Sequence, residues 1–191
     1  MRLQSILQIT LLSLVSACAS AQAYPGVTTR SLIDVGVSYD WTHANGPAGQ
    51  CSCFSMNGGH AMVMYNLPHR FSIVADIGGN HASNIDGSDQ TITTYTYLFG
   101  GRYTVHTGAR LSLYGQGLAG TTYETSNYAF VLDREAYSFG AGGGAVLSMG
   151  SRFSLNLVEA DWIHSDLPNG SNDRQNVLRL GAGVSVHFGS R

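Results

Sequence analysis

The chain has 191 residues, enough for one domain with a full core. Charged residues make up 12% of it, against roughly 25% in soluble domains, and lysine is absent. The basic residues are all arginine, never in a run, and the formal net charge is -2. No basic patch marks a nucleic-acid partner, so none is expected.

The first apolar segment is typical of an export signal. An arginine at position 2 is followed by an apolar run from Ile6 to Val15 and then by small residues, which is the pattern of a cleaved signal peptide. We therefore predict a signal peptide over residues 1–23 and one domain over residues 24–191. Cleavage before Cys18, as in a lipoprotein, is the alternative.

After residue 23 the chain has no apolar run long enough for a spanning helix. It alternates with a period of two instead: in residues 31–42 every second side chain is apolar, from Ile33 to Trp41. This alternation predicts an all-β protein. The predicted strands cover residues 31–42, 57–66, 71–80, 91–104, 110–120, 135–147, 152–164 and 175–188.

The predicted connections alternate in length. Those over residues 67–70, 105–109 and 148–151 are short. The others are long and polar and cover residues 43–56, 81–90, 121–134 and 165–174. Membrane barrels have short periplasmic turns and long external loops. We therefore predict an eight-stranded antiparallel up-and-down transmembrane β-barrel with both chain ends on the periplasmic side.

Aromatic residues near the predicted strand ends support this orientation, since aromatic girdles mark both interfaces of membrane barrels. One group lies beside short turns or the C-terminus: Tyr65, Phe71, Tyr103, Phe153 and Phe188. The other lies beside long loops: Tyr39, Trp41, Tyr95 and Tyr137. We predict that these residues form the two girdles.

The export signal, the alternating strands, the long loops and the aromatic Phe188 near the C-terminus resemble a known family. This is the family of small outer-membrane β-barrels of the OmpA-transmembrane-domain and OmpX type, and the resemblance covers about residues 31–188. It implies a place in the outer membrane of a diderm bacterium and contact with outer-membrane lipid. It also implies insertion by the barrel assembly machinery, which reads a C-terminal strand ending in an aromatic. Here residues 189–191 follow Phe188, a small departure.

Polar and charged residues on the other parity of the strands would face the lumen. They are Asp34, Asp40, His60, Asp76, Arg102, Glu159, Asp161, Arg179 and His187. The lumen of an eight-stranded barrel is only wide enough to be filled by side chains. We therefore expect these residues to form a paired polar network that fills the lumen, with no conducting pore.

Two strands depart from simple alternation. In residues 152–164 the apolar residues share a parity with Glu159 and Asp161, and a β-bulge near Val158 would restore the pattern. In residues 110–120 glycines occupy one parity, so the faces stay unassigned. Residues 139–145 are rich in glycine and resemble a dinucleotide-binding motif, but the helix that must follow such a motif is not predicted here. We expect these small residues to make the barrel wall thin where bulky side chains fill the interior.

The first long loop contains Cys51-Ser52-Cys53. A local disulfide is predicted, because an exported location favours oxidation, and two free thiols are the alternative. A metal site with His43 and His60 is less favoured, since the spacing matches no familiar zinc pattern. No metal and no cofactor are therefore predicted.

An enzyme is also considered, because some outer-membrane barrels modify lipid A with serine and histidine groups. His164, Ser165 and Asp166 follow one another at the end of a strand, but the deacylase pattern His-x-Ser-Asn is missing. A second alternative is a soluble lipocalin-like barrel that carries a hydrophobic ligand. In such a barrel the polar face would be outside, and with so few charges it would be poorly solvated by water. The barrel with its apolar face towards lipid is therefore preferred.

The leading hypothesis is therefore a non-enzymatic outer-membrane barrel whose loops serve envelope integrity, adhesion or contact with an extracellular ligand, because function in such scaffolds lies in the loops. Four aromatic residues are candidates for exposed partner contacts: Phe54 in the first loop and Tyr123, Tyr128 and Phe130 in the third. Packing of the loops against one another is the alternative role of these side chains.

Overall fold

The computed structural model describes residues 31–45, 53–85, 89–106, 109–127, 134–167 and 174–189. Within these ranges the chain forms eight strands and a 3-10 turn at Pro68–Arg70. The strands are β1 (Ile33–Ala44), β2 (Phe54–Asn66), β3 (Phe71–Ser83), β4 (Thr91–His106), β5 (Leu111–Ser126), β6 (Arg134–Ser148), β7 (Phe153–Ser165) and β8 (Gln175–Phe188). None of the described residues belongs to a helix that is long and apolar enough to cross a membrane.

Each strand pairs antiparallel with the next, and β1 also pairs with β8, which closes the barrel. The predicted fold class is thereby confirmed. Several strands continue further than predicted: β5 runs to Ser126, whereas the alternation suggested an end at residue 120. The additional residues are rich in threonine, whose β-branched side chain suits a pleated wall, so this wall extends into the predicted third loop.

The two ends of the barrel differ in their connections. The short-turn end carries the connections 67–70, 107–110 and 149–152, together with the start of β1 and the end of β8. The long-loop end carries the connections 45–53, 84–90, 127–133 and 166–174. The predicted alternation of short and long connections is therefore present.

The strands place apolar side chains outside and polar ones inside. In β1 exposed and buried residues alternate along the whole strand, with Val37 54% exposed and Asp40 fully buried. A soluble carrier needs the opposite arrangement, with its apolar face around the ligand. The lipocalin-like alternative is therefore wrong.

A β-bulge interrupts β7 at the predicted place. Leu157 and Val158 are both 47% exposed, and the pairing of β7 with β8 shifts between Asn156 and Glu159. One extra residue on the bulged strand reverses the faces of the residues that follow. Glu159 and Asp161 consequently point inward, where both are buried.

Glycines of β6 make room for side chains of the neighbouring strands. A Cβ atom at Gly142 would collide with the Asp161 carboxylate, and one at Gly144 would lie 2.7 Å from the Tyr114 hydroxyl. The expected thinning of the wall is therefore present at both positions. The faces of β5 also become clear, since Tyr114 and Gln116 are buried inside the barrel.

Candidate functional site

The centre of the lumen is organised around Arg179 of β8, which is 2% exposed. Its guanidinium contacts Asp76 of β3 through Nη1 and Nη2, at 3.0 and 3.1 Å. The same group donates to Asp161 of β7, at 2.8 Å from Nη2 and 3.3 Å from Nε. One cation thus bridges two carboxylates from strands on different sides of the barrel.

His60 of β2 joins two further carboxylates. Its Nδ1 lies 2.9 Å from Asp40 of β1, and its Nε2 lies 3.2 Å from Glu159 and 3.7 Å from Asp76. Because both ring nitrogens face carboxylate oxygens, the doubly protonated ring is the form that can donate to both. A buried charge is tolerated when it is paired in this way.

Arg102 of β4 is held by two residues of β5, a strand whose faces the alternation leaves unassigned. It donates to Gln116 Oε1 from Nη2 at 2.7 Å and from Nε at 3.1 Å, and its guanidinium carbon lies 3.7 Å from the centre of the Tyr114 ring. Gln116 in turn donates to Asp161 at 2.8 Å, and the Tyr114 hydroxyl donates to Glu159 at 3.3 Å. The register between β4 and β5 identifies these partners, since Arg102 pairs directly with Gln116. The sequence alone does not give that register.

At the short-turn end a second chain of hydrogen bonds crosses five strands. His187 lies 2.6 Å from Ser154 Oγ through Nε2 and 2.7 Å from Asp34 through Nδ1. Asn66 donates to the other oxygen of Asp34 at 2.8 Å and accepts from Ser72 at 2.6 Å. All nine predicted lumen residues therefore point inward, in a central group and a short-turn group.

The interior above the central group is also filled. Towards the long loops lies an apolar cluster of Ala44, Phe54, Met56, Ala82, Ile85 and Ile92. Between this cluster and Arg179 is a cavity of about 20 Å³, room for about one water molecule. Buried oxygens of Asn80, Thr96 and Gln175, which line it, have no hydrogen-bond partner. Side chains of the described residues therefore pack the interior on both sides of Arg179.

The predicted girdle residues all point outward, with between 39% and 81% of each residue exposed. At the short-turn end Tyr65 and Phe188 flank Ile33 on neighbouring strands, and Phe71 pairs with Tyr103. These residues, with Phe153, form one arc, and Tyr39, Trp41, Tyr95 and Tyr137 form the other near the long loops.

Phe54 corrects the expectation of exposed loop aromatics. It lies in β2, is 7% exposed and belongs to the interior apolar cluster. The reason is that β2 begins three residues before its predicted start at residue 57, and the alternation of this strand turns the Phe54 side chain inward. Tyr123 lies in β5 and is half-buried, so it is not a loop residue either. Tyr128 and Phe130 lie outside the described residues.

In both alternative sites, the serine–histidine enzyme site and the histidine metal site, the residues lie on opposite faces of the barrel wall. His164 faces outward at the end of β7, whereas its neighbour Ser165 is 2% exposed inside the barrel. His43 is likewise outside and His60 inside. Adjacent serine and histidine on opposite faces do not form a nucleophile and base pair, and the two flanking histidines do not converge on one metal.

The predicted disulfide stays a prediction. Cys53 is exposed just before β2, and Cys51 lies outside the described residues, as do residues 1–30, which include the predicted signal peptide.

The chain matches the family model described as "Outer membrane protein beta-barrel domain" over residues 9–188. Among solved structures it is similar to Ail, the attachment invasion locus protein of Yersinia pestis, at 15% identity and a TM-score of 0.58, with 83% of this chain and 99% of that chain covered. It is also similar to Neisserial surface protein A, at 13% identity and a TM-score of 0.64, with 83% and 98% covered. OprG from Pseudomonas aeruginosa matches at 9% identity and a TM-score of 0.52, with 86% and 100% covered. No curated protein matches the sequence.

Proposed function

Because the chain belongs to the outer membrane protein β-barrel family and lies in the outer membrane, we propose that it is a non-enzymatic barrel without a conducting pore, whose long loops contact an extracellular ligand. The observation that supports this is the filled interior. Arg179, His60 and Arg102 are all held by hydrogen-bonded partners, and the cavity that Arg179 lines has a volume of about 20 Å³. With the interior filled, the external loops are the part of the barrel that can contact a ligand.

The charges of the loops indicate the chemistry of this ligand. Ail has been crystallised with the heparin analogue sucrose octasulfate. In this chain the long connections carry mainly acidic side chains: Asp86, Asp89, Asp133, Asp166 and Asp173, with Arg174 as their basic residue. The short turns end instead in Arg70, Arg110 and Arg152. An acidic surface attracts a basic partner and repels a polyanion, so we propose adhesion to a basic partner.

Binding to two soluble polymers tests this proposal. The mature barrel in phosphatidylcholine nanodiscs should bind polylysine and not heparin. Replacing the loop aspartates by asparagine should abolish polylysine binding, whereas replacing the arginines of the short turns by glutamine should leave it unchanged. Heparin binding by the unmodified barrel, or equal effects of the two variants, would contradict an acidic adhesive surface.

The absence of enzymatic activity is the second part of the proposal. Ser154, His187 and Asp34 follow the order of a hydrolase triad, with contacts of 2.6 and 2.7 Å. Ser154 is only 2% exposed, however, and so is Ser165, so neither hydroxyl is open to an acyl substrate. A fluorophosphonate should therefore label no serine of the folded barrel. An adduct on Ser154 or Ser165 in a mass spectrum would overturn this part.

Export and assembly complete the proposal. Residues 1–23 act as a cleaved signal peptide, and the barrel assembly machinery reads the terminal strand that ends at Phe188. Sequencing the N-terminus of the protein isolated from outer membranes should give a start near Tyr24. A lipidated start at Cys18 would establish the lipoprotein alternative instead.

A further inference from the structure

Two strands carry the same four-residue pattern at the long-loop end. Residues 40–43 of β1 and residues 161–164 of β7 both read Asp-Trp-x-His, and these two strands pair with β8 from its two sides. In each copy the aspartate points into the lumen, while the tryptophan and the histidine point outward. We name the outward surface that they form with β8 the Trp–His patch: Trp41, His43, Trp162, His164, Leu178 and Leu180.

Each histidine of the patch is stacked on its own tryptophan. The ring centroids of Trp41 and His43 are 5.6 Å apart with an interplanar angle of 15°. Those of Trp162 and His164 are 5.8 Å apart with an angle of 24°. The two indoles remain 39% and 44% exposed. The same ring pair is therefore presented twice on one outward surface.

A second contact orients each imidazole. His43 Nδ1 lies 3.2 Å from Ser55 Oγ on β2, and His164 Nδ1 lies 2.8 Å from Asn176 Oδ1 on β8. Ser55 Oγ can donate to His43 Nδ1, which leaves the Nε2–H of that ring as a donor for a ligand. Asn176 Oδ1 only accepts, so His164 Nδ1 donates to it, and His164 Nε2 carries a proton only in the doubly protonated ring. Nε2 of His164 also lies 3.6 Å from Asp166, whose side chain is 66% exposed.

The surface between the two ring pairs is apolar. Leu178 pairs with His43 on one side and with Trp162 on the other, and Leu180 pairs with Trp41. These leucines are 43% and 37% exposed. Arg174, exposed just before β8, adds positive charge at the loop edge. The patch is thus apolar towards the middle of the barrel and rich in N–H donors towards the loops.

We propose that the Trp–His patch binds a phosphorylated lipid of the outer leaflet. His43 Nε2–H donates to a phosphate oxygen, and His164 does so as the doubly protonated ring, which the phosphate charge favours. The indoles lie at the headgroup level, and Leu178 and Leu180 contact the acyl chains. An aromatic girdle alone needs no oriented imidazoles, whereas a headgroup site does. A free soluble anion would make no use of the leucines and indoles beside the donors, so the occupant is a lipid.

The tryptophans provide a direct readout, because the chain contains two and both lie in the patch. The experiment uses the mature barrel in phosphatidylcholine nanodiscs to which lipid A, or lipid A stripped of its phosphates, is added. We expect a saturable change of tryptophan fluorescence with lipid A and none with the stripped form. In the double variant His43→Gln/His164→Gln the affinity for lipid A should fall about a hundredfold, because about tenfold is lost with each of the two hydrogen bonds to phosphate.

His81 provides the matched control. It also faces outward near the long-loop end, and its Nδ1 lies 2.8 Å from Thr93 Oγ1, but Gly79 occupies the position where the patch has tryptophan. His81→Gln should leave lipid A binding unchanged. Asp166→Asn should tighten it, because that carboxylate repels phosphate beside His164.

Three results would overturn the proposal. An equal response to stripped lipid A would show apolar contact only, and saturation by inorganic phosphate without added lipid would show a soluble-anion site. An equal loss of lipid A affinity in His81→Gln would show that stacking of histidine on tryptophan is not needed for binding. Should the double variant fail to fold, as judged by unboiled gel mobility, Ser55→Ala and Asn176→Ala provide the second test. Each of these substitutions removes the hydrogen bond that orients one imidazole ring, so each should weaken lipid A binding.

Discussion

Arg179 and Asp76 stand 103 residues apart in the chain and form a two-pronged ion pair across the lumen, with N–O distances of 3.0 and 3.1 Å. One residue belongs to the last strand and the other to the third, so the pair exists only when the barrel is closed. It therefore joins two strands that are not neighbours in the barrel wall.

Removing one partner of this ion pair should destabilise the barrel. Asp76→Asn leaves the Arg179 guanidinium buried with one carboxylate, and breaking a buried pair costs about 3–5 kcal/mol. Urea unfolding in detergent micelles, followed by tryptophan fluorescence, measures the free energy of unfolding. Asp89→Asn, in a long loop, should leave that free energy unchanged. Equal stability of the two variants would show that the pair does not brace the fold.

Filling the space at Gly142 should also destabilise the barrel. A valine there meets the Asp161 carboxylate and displaces it from Arg179, so we expect a loss of about 1–3 kcal/mol, as for other overpacked interiors. Gly117→Ala is the matched control, since its Cβ would have no neighbour within 4 Å. The same urea unfolding compares the two, and a harmless Gly142→Val would contradict the thin-wall explanation.

A closed barrel should resist detergent until it is heated. The unboiled protein from the outer-membrane fraction should therefore migrate differently from the boiled protein on a denaturing gel. Val37→Pro should abolish the difference, because proline removes a ladder donor from β1, which is paired on both sides. Val37→Thr should retain it. A soluble product without any heat-dependent shift would contradict the membrane barrel.

The terminal aromatic should matter for assembly more than for stability. Phe188→Ala should slow the appearance of heat-modifiable protein in the outer membrane, if the assembly machinery reads this strand. Phe153→Ala, at the same end of the barrel and similarly exposed, should not. Pulse-labelled cells provide the measurement, and equal rates for both variants would remove the proposed role of Phe188.

The faces of most strands could be predicted because they depend on local alternation. The inward position of Asp40 follows from its apolar neighbours, and the bulge at Val158 follows from the clash of Glu159 with the apolar parity. Strand ends were less predictable, since polar residues can continue a wall beyond the bilayer. The alternation therefore predicts a loop at Phe54, although β2 begins with this residue and buries it.

The partners of the lumen residues could not be read from alternation. That Arg102 meets Gln116 and Arg179 meets Asp76 depends on the stagger of all eight strands around the closed barrel. The Trp–His patch depends on the same closure, because it brings β1 and β7 to the two sides of β8. Period-two alternation is a property of each strand, so the chain alone specifies which side chains face inward. Contacts between distant strands are a property of barrel closure and register, and only the folded structure assigns them.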